Sequence, residues 1–165
     1  MTRGRTQDVQ RSTHSVRVAD WLARAHADPD AAHREWAERG VAMLPLGVRF
    51  DAVRIPFSVV RAALGTDNRD AIGRTLPQML GGPVIQDGEK WTYPLVPTGG
   101  ASAWSARAGN YRGRGRLAVP DTDQLGPPGM YWTVAMATPG RLCEPAAVAS
   151  MIEAGVSALS GKEGR

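Results

Sequence analysis

The sequence predicts an α+β domain in which helices pack on a mixed, largely antiparallel sheet. Stretches with helical apolar spacing alternate with short apolar runs that end at Gly, Pro or Asp-Gly turns. Two successive runs, at residues 83–86 and 90–96, flank Asp87-Gly88 and predict a β-hairpin. Hairpins interspersed with helices are typical of a helical layer on an antiparallel sheet.

A single domain accounts for the length of the chain. The sequence has 165 residues, of which 42% are hydrophobic and 6% aromatic, enough for one substantial core. Residues 1–14 are polar and lack apolar periodicity, so we expect a disordered basic arm there. The α+β domain is expected over residues 15–159, followed by a polar tail at residues 160–165.

The first half of the domain is expected to follow the order α, α, β, β, α, α. Apolar residues at helical spacing predict the helices, and continuous or alternating apolar residues predict the strands. Glycine follows three of these helices as a C-terminal stop signal, and Pro77 is expected to kink the fourth helix or start a new turn. The predicted elements are helices at residues 16–25, 30–39, 57–64 and 69–80 and strands at residues 41–46 and 49–55.

The second half is expected to follow the order β, β, β, β, α. After the hairpin comes a turn at residues 97–100, a short helix or loop at residues 101–106 and a Pro/Gly-rich loop at residues 120–129. The last helix is expected to open at Cys143 or Glu144, with Pro145 at its first position. The predicted elements are strands at residues 83–86, 90–96, 116–119 and 130–137 and a final helix up to residue 159.

A basic, glycine-rich stretch from Trp104 to Arg116, here called the arginine-glycine segment, carries the strongest functional signal. No Asp or Glu occurs from Trp91 through Pro120, so no neighbour in sequence neutralises its guanidinium groups. Arginine forks suit phosphate oxygens, and aromatic rings stack on bases. The alternative is a solvated surface loop between two strands. The predicted phosphate-binding or nucleic-acid-binding residues are Arg107, Arg112, Arg114 and Arg116, with stacking by Trp104 or Tyr111.

Composition limits the other classes of function. The formal charge of +4 permits a polyanionic partner but is mild for a DNA-coating protein. The single cysteine, Cys143, excludes an internal disulfide and is expected to be a packing residue. The three histidines lack nearby ligand partners in sequence, and no phosphate-binding Walker motif occurs, so we expect no catalytic residue, metal or cofactor. Without a long apolar run or a signal peptide, the expected location is cytoplasmic, with no membrane association.

Three short elements resemble the N-terminal domain of prokaryotic bifunctional DNA primase/polymerases. Residues 40–47 resemble the opening helix-to-strand passage, in which the strand ends in a Pro-Leu pair. Residues 113–120 and 129–132 resemble the strand, Pro-containing loop and Tyr-Trp strand that border the nucleotide site of that family. The chain is also similar to small actinobacterial proteins of unassigned function, through Phe50-Asp-Ala-Val53, Gly82-Pro-Val84 and residues 96–104. The resemblance implies a primase/polymerase-like fold over residues 40–136.

The chain departs from that family at the positions that carry its chemistry. The family holds divalent metals with an Asp-x-Asp pair, whereas Asp51 has no carboxylate two residues away. The family's Ser-x-His is replaced by residues 121–124, where Asp121 and Asp123 are expected to be turn residues. We therefore expect a non-catalytic domain that binds DNA, RNA or a nucleotide. The alternatives are an accessory enzyme or binding protein for a phosphorylated small molecule, and a module that binds an acidic protein partner.

Overall fold

A computed structural model describes residues 3–163, which form five α-helices, seven strands and one 3-10 turn at Ala101–Ala103. The helices are α1 (Arg3–Ala23), α2 (Pro29–Arg39), α3 (Phe57–Leu64), α4 (Arg69–Leu80) and α5 (Pro145–Glu163). The strands are β1 (Val41–Pro45), β2 (Asp51–Pro56), β3 (Val84–Asp87), β4 (Trp91–Val96), β5 (Asn110–Arg112), β6 (Arg116–Pro120) and β7 (Met130–Val134).

The strands form two antiparallel sheets. The larger sheet has the order β5-β2-β4-β3-β7, and the smaller one pairs β1 with β6. The predicted α+β class is therefore confirmed, with two sheets in place of one. Strand β5, which lies within the arginine-glycine segment, was not predicted and forms one edge of the larger sheet. The primase/polymerase-like character of the fold stays a prediction.

The larger sheet separates two hydrophobic clusters. Alternating side chains of β2 point to opposite faces, so Ala52 packs in one cluster and Val53 in the other. The first cluster contains residues of α1, α2 and the smaller sheet, and the second contains residues of α3, α4 and α5. Phe50, Ala52 and Val53 are fully buried, so both faces of this part of the chain pack against other elements. The larger sheet is thus the middle layer and holds β5 at its margin.

Several local features explain where the helices begin, end and meet. The Asn68 side chain caps α4 by accepting a hydrogen bond from the Ala71 N–H at 2.9 Å. Helix α4 runs through to Leu80, so Pro77, which was expected to kink the helix or start a new turn, lies within the helix. Helices α3 and α5 pack closely because Gly155 lacks a side chain. A Cβ atom at Gly155 would collide with the backbone carbonyl of Val59.

The N-terminal segment differs from its prediction. In place of a disordered arm over residues 1–14, α1 is already helical from Arg3, and Met1 and Thr2 lie outside the described residues. Residues 4–14 are exposed, so backbone hydrogen bonds hold these turns with no support from the core. Apolar periodicity predicts only helices that have a buried face, and this exposed extension has no buried face. At the other end, α5 continues to Glu163, four residues beyond the predicted boundary at residue 159.

Two long helices, α1 and α5, have the length of a membrane span but not its composition. Within residues 3–163, no helix combines the length and the apolar character needed to cross a bilayer.

Candidate functional site

Two neighbouring cavities lie along β5, at the edge of the larger sheet. The first, here called the arginine cavity, has a volume of about 660 Å³ and contains Asp51, Arg112 and Arg114. The second, here called the tryptophan cavity, has a volume of about 560 Å³ and contains Arg54, Trp91, Trp104 and Arg107. Asn110 and Tyr111 line both cavities, so the two adjoin each other along the edge strand and are together called the groove here.

A buried carboxylate organises the arginine cavity. The side chain of Asp51 is 2% exposed, and its Oδ2 atom accepts hydrogen bonds from the Tyr111 hydroxyl at 2.6 Å and the Gly99 N–H at 3.0 Å. The Tyr111 oxygen in turn accepts a hydrogen bond from the Gly100 N–H at 3.0 Å. These bonds tie β2, β5 and the turn after β4 together. The other oxygen of Asp51, Oδ1, is buried and has no hydrogen-bond partner within residues 3–163.

The Tyr111 hydroxyl is fixed as a donor to Asp51. Burial and the hydrogen bond to Asp51 raise the pKa of Tyr111 to about 12. The phenol therefore keeps its proton at physiological pH, and its short bond to a charged oxygen is of the stronger class. The Tyr111 ring also contacts Trp104, with centroids 5.7 Å apart. The arginine cavity therefore has one wall formed by Asp51 and Tyr111, and the Trp104 ring packs against Tyr111.

The opposite wall is backbone. Gly47 has a φ of 83°, and a Cβ atom there would lie 2.6 Å from the carbonyl oxygen of Gly113. Only glycine fits, because it tolerates both the positive φ and the close approach of the two chain segments. Gly47 and Gly113 therefore bring the β1–β2 turn against the arginine-glycine segment. This contact places the Arg114 side chain beside the cavity that Asp51 lines.

The structure divides the four predicted phosphate-binding arginines among three places. Arg112 and Arg114 line the arginine cavity, and Arg107 lines the tryptophan cavity. Arg116 begins β6 in the smaller sheet, paired with Pro45, and lines neither cavity. None of the four forms an ion pair with a carboxylate of residues 3–163. Three of them therefore present their charge along one groove, and Arg116 stands apart.

The two predicted stacking residues are half-buried and not fully exposed. The indole Nε1–H of Trp104 donates to the Gly109 carbonyl at 3.0 Å, which fixes the ring at the mouth of the tryptophan cavity. Tyr111 uses its hydroxyl within the Asp51 network. Each residue offers part of a ring to the groove, and neither ring is free to rotate.

The tryptophan cavity contains a pair that the sequence interpretation missed. The guanidinium carbon of Arg54 lies 4.4 Å from the centroid of the Trp91 ring. Arg54 is opposite Asn110 in the β2–β5 pairing, two residues from the position opposite Arg112. Because side chains alternate along a strand, Arg54 and Arg112 project from the same face. Both guanidiniums lower the pKa of Tyr93, although burial and Asp87 raise it by more.

Asp51 and Arg54 were missed as site residues for the same reason. Both lie in a short strand, and their partners are Tyr111, Gly99 and Trp91, which are distant in sequence. The sequence did hold one signal for Asp51. A carboxylate inside the apolar run of residues 50–55 has to be buried beside a donor, since strands of this kind have little solvent contact.

The remaining candidates for chemistry take structural positions. Asp121 forms a turn, as predicted, because its Oδ1 accepts the Asp123 N–H at 3.1 Å. His26, in the loop between α1 and α2, lies 3.7 Å from Glu35 of α2, and His33 of α2 lies 3.0 Å from Asp20 of α1. In the described part of the chain, no three His, Cys, Asp or Glu side chains are grouped closely enough to hold a metal ion.

Cys143 is a packing residue, as predicted, and is expected to resist alkylation in the folded protein. It is 1% exposed, and burial raises its pKa to about 12 from an ordinary value of 9.0. The thiolate fraction at neutral pH should fall by about a thousandfold, since each pKa unit is a factor of ten. Iodoacetamide labelling followed by mass spectrometry should be slow in buffer and complete in denaturant. Rapid labelling of the folded protein would contradict this assignment.

Comparison of the chain with protein-family models, with curated proteins and with solved structures found no match.

Proposed function

We propose that this protein binds nucleic acid or nucleotides without catalysing a reaction, using the arginine cavity to hold a phosphate group. The observation that carries the proposal is the position of Arg112 and Arg114. Both line one cavity beside Asn110 and Tyr111, and neither is paired with a carboxylate in the described part of the chain. Two guanidiniums against the one buried carboxylate of Asp51 leave this cavity positive.

The surroundings of the two arginines favour phosphate over other anions. The guanidinium fork matches two phosphate oxygens, and the glycines at residues 47, 99 and 113 let backbone approach a ligand closely. The Tyr111 ring lines this cavity and contacts the Trp104 ring, which lines the neighbouring tryptophan cavity, and aromatic rings of this kind suit a base. Nucleotide recognition needs two components, hydrogen-bond donors that bind the phosphate and aromatic rings that stack on the base, and here they lie next to each other.

The carboxylate content of the groove supports binding and not phosphoryl transfer. Asp51 is the one carboxylate that lines either cavity within residues 3–163, and two hydrogen bonds occupy its Oδ2 atom. Two-metal catalysis needs several carboxylates around both ions. The resemblance to primase/polymerases is therefore proposed to extend to the binding of a nucleotide unit and not to polymerisation.

A second candidate is the binding of a phosphorylated small molecule. The volume of the arginine cavity, about 660 Å³, lies within the range of small-ligand sites. In that case Arg112 and Arg114 would clamp one anion, and a polymer would compete poorly. Competition experiments distinguish the two functions, because a nucleotide should displace the ligand in the first case and a sugar phosphate in the second.

Fluorescence anisotropy with a labelled single-stranded oligonucleotide tests the proposal. The titration is run at two salt concentrations, with a nucleoside triphosphate, a sugar phosphate and inorganic phosphate as competitors. We expect salt-sensitive binding, because each phosphate contact releases counterions and adds roughly 0.7 to the slope of log affinity against log salt. Competition by the triphosphate alone would identify a nucleotide site, and tight binding of the sugar phosphate would favour the second candidate.

The matched control is Arg74→Ala, which removes an exposed arginine of α4 away from the groove. This variant has the same change in net charge as any single arginine variant of the groove, so it corrects for the general field of the protein. Arg116 belongs to the arginine-glycine segment but lines neither cavity. Arg116→Ala therefore distinguishes binding in the cavities from binding by the segment as a whole. Failure of the wild-type protein to bind any of these ligands at low salt would overturn the proposal.

A further inference from the structure

The groove along β5 contains two positively charged sites, the arginine cavity and the tryptophan cavity, which are here called the first and second stations. The tryptophan cavity holds Arg54 and Arg107, and no carboxylate of the described residues lines it. It adjoins the arginine cavity through Asn110 and Tyr111. One nucleotide does not need both stations, and a longer ligand with repeated phosphates would use each of them.

We propose that the ligand is a single strand of nucleic acid that lies along β5 and occupies both cavities at once. This inference rests on the proposed function, and it adds the substrate class. One phosphate is held by Arg112 and Arg114, and the neighbouring nucleotide unit contacts Arg54, Trp91 and Arg107.

The spacing of the two stations follows from strand geometry. Arg54 lies opposite Asn110, and Arg112 is two residues further along β5 on the same face. Two residues of a strand span roughly 6–7 Å, which is close to the distance between adjacent phosphates in an extended nucleic-acid strand. The backbone positions of Arg54 and Arg112 are diagonal neighbours on adjacent strands, about 7–8 Å apart. This spacing is similar to the repeat of a stretched nucleic-acid backbone, and a monophosphate has only one such group.

The Arg54–Trp91 pair supplies a stacking surface at the second station. The guanidinium of Arg54 is held over the Trp91 ring at 4.4 Å, so its position is fixed before a ligand arrives. Its Nε atom is buried and has no hydrogen-bond partner in the described structure. Trp104 lines the same cavity from the other side of the sheet edge. Grooves that combine cations with aromatic rings are the common means of binding single strands without sequence preference.

The edge position of β5 favours a single strand over a duplex. Strand β5 is three residues long and ends the sheet, so the groove contains side chains from both sheet faces. Unpaired bases can turn toward Trp91 and Trp104. In a duplex the bases are stacked in the interior, and the phosphates lie on the outside of a wide cylinder. Single-strand sites of this kind commonly cover several nucleotides.

Competition anisotropy with ligands of increasing length tests this inference. The ligands are thymidine monophosphate, an oligothymidylate of about eight nucleotides and a duplex of equal length, against wild-type protein and Arg54→Gln. Arg54→Gln removes the charge but keeps a polar side chain of similar length. Circular dichroism checks that the variant folds.

The informative quantity is the ratio of octamer affinity to monophosphate affinity. We expect Arg54→Gln to lower octamer affinity about 5-fold to 30-fold and monophosphate affinity by a smaller factor, so the ratio of the two affinities falls. A matched Arg74→Ala variant should keep the wild-type ratio. An unchanged ratio in Arg54→Gln, or a duplex that binds as tightly as the single strand, would overturn this inference while leaving a nucleotide site in place. Absence of binding by every ligand would overturn the proposed function itself.

Discussion

Replacing Arg112 and Arg114 together with alanine is expected to weaken binding of a labelled single-stranded oligonucleotide by about 100-fold at low salt. A hydrogen bond to a charged group contributes roughly 1.5–3 kcal/mol, so two lost contacts remove about 3 kcal/mol or more. Each 1.4 kcal/mol is about a tenfold change in affinity. The magnitude of the slope of log affinity against log salt should fall by roughly 0.7, because the two arginines together hold one phosphate.

The double variant should fold normally, which makes the binding result interpretable. Arg114 is exposed, and Arg112 is half-buried without an ion pair among residues 3–163. Surface substitutions away from special features change stability by about 0.5 kcal/mol or less. Thermal unfolding monitored by circular dichroism should therefore give nearly the wild-type Tm. Wild-type affinity in this variant, measured beside the Arg74→Ala control, would remove the arginine cavity from the proposed function.

Local sequence signals were sufficient for most of the fold. Glycine stop signals, the Asp87-Gly88 turn and helical spacing placed α2, α3, α4 and the β3–β4 hairpin close to their observed bounds. These signals act within a few residues, so one sequence reveals them. The helical extension at residues 4–14 was missed because these residues are exposed, whereas apolar periodicity indicates only buried helix faces.

The candidate site depended on contacts that local signals do not report. Strand β5 has three residues, and its partner β2 lies more than fifty positions earlier in the chain. The composition of the arginine-glycine segment identified Arg112 and Tyr111 as candidates, but nothing in the sequence indicated that they lie near Asp51. Their proximity to Asp51 follows from the register of β2 against β5. In the same way, Arg116 shares the arginine-glycine segment but belongs to the smaller sheet.

Removing the carboxylate of Asp51 tests whether this long-range network shapes the site. Asp51→Ala is expected to lower the free energy of unfolding by about 3 kcal/mol, because the Tyr111 hydroxyl and the Gly99 N–H lose a charged acceptor. For a chain of this size, that change corresponds to a fall in Tm of roughly 6–12 °C. Oligonucleotide affinity should fall as well, since the turn at Gly99 and the Tyr111 ring lose their positions beside Arg112.

Two further variants separate the hydrogen bond from the loss of a buried side chain. Asp51→Asn keeps an acceptor oxygen for these bonds and removes the charge of a carboxylate whose Oδ1 atom has no hydrogen-bond partner within residues 3–163. It should therefore lower the free energy of unfolding by only about 1 kcal/mol. Tyr111→Phe removes the donor of the same 2.6 Å bond. In a double-mutant cycle with Asp51→Ala, the two losses should fall short of additivity by roughly 1–2 kcal/mol. Simple additivity would show that the bond does not couple β2 to β5, and a stable Asp51→Ala protein with wild-type affinity would show that the groove is positioned by packing alone.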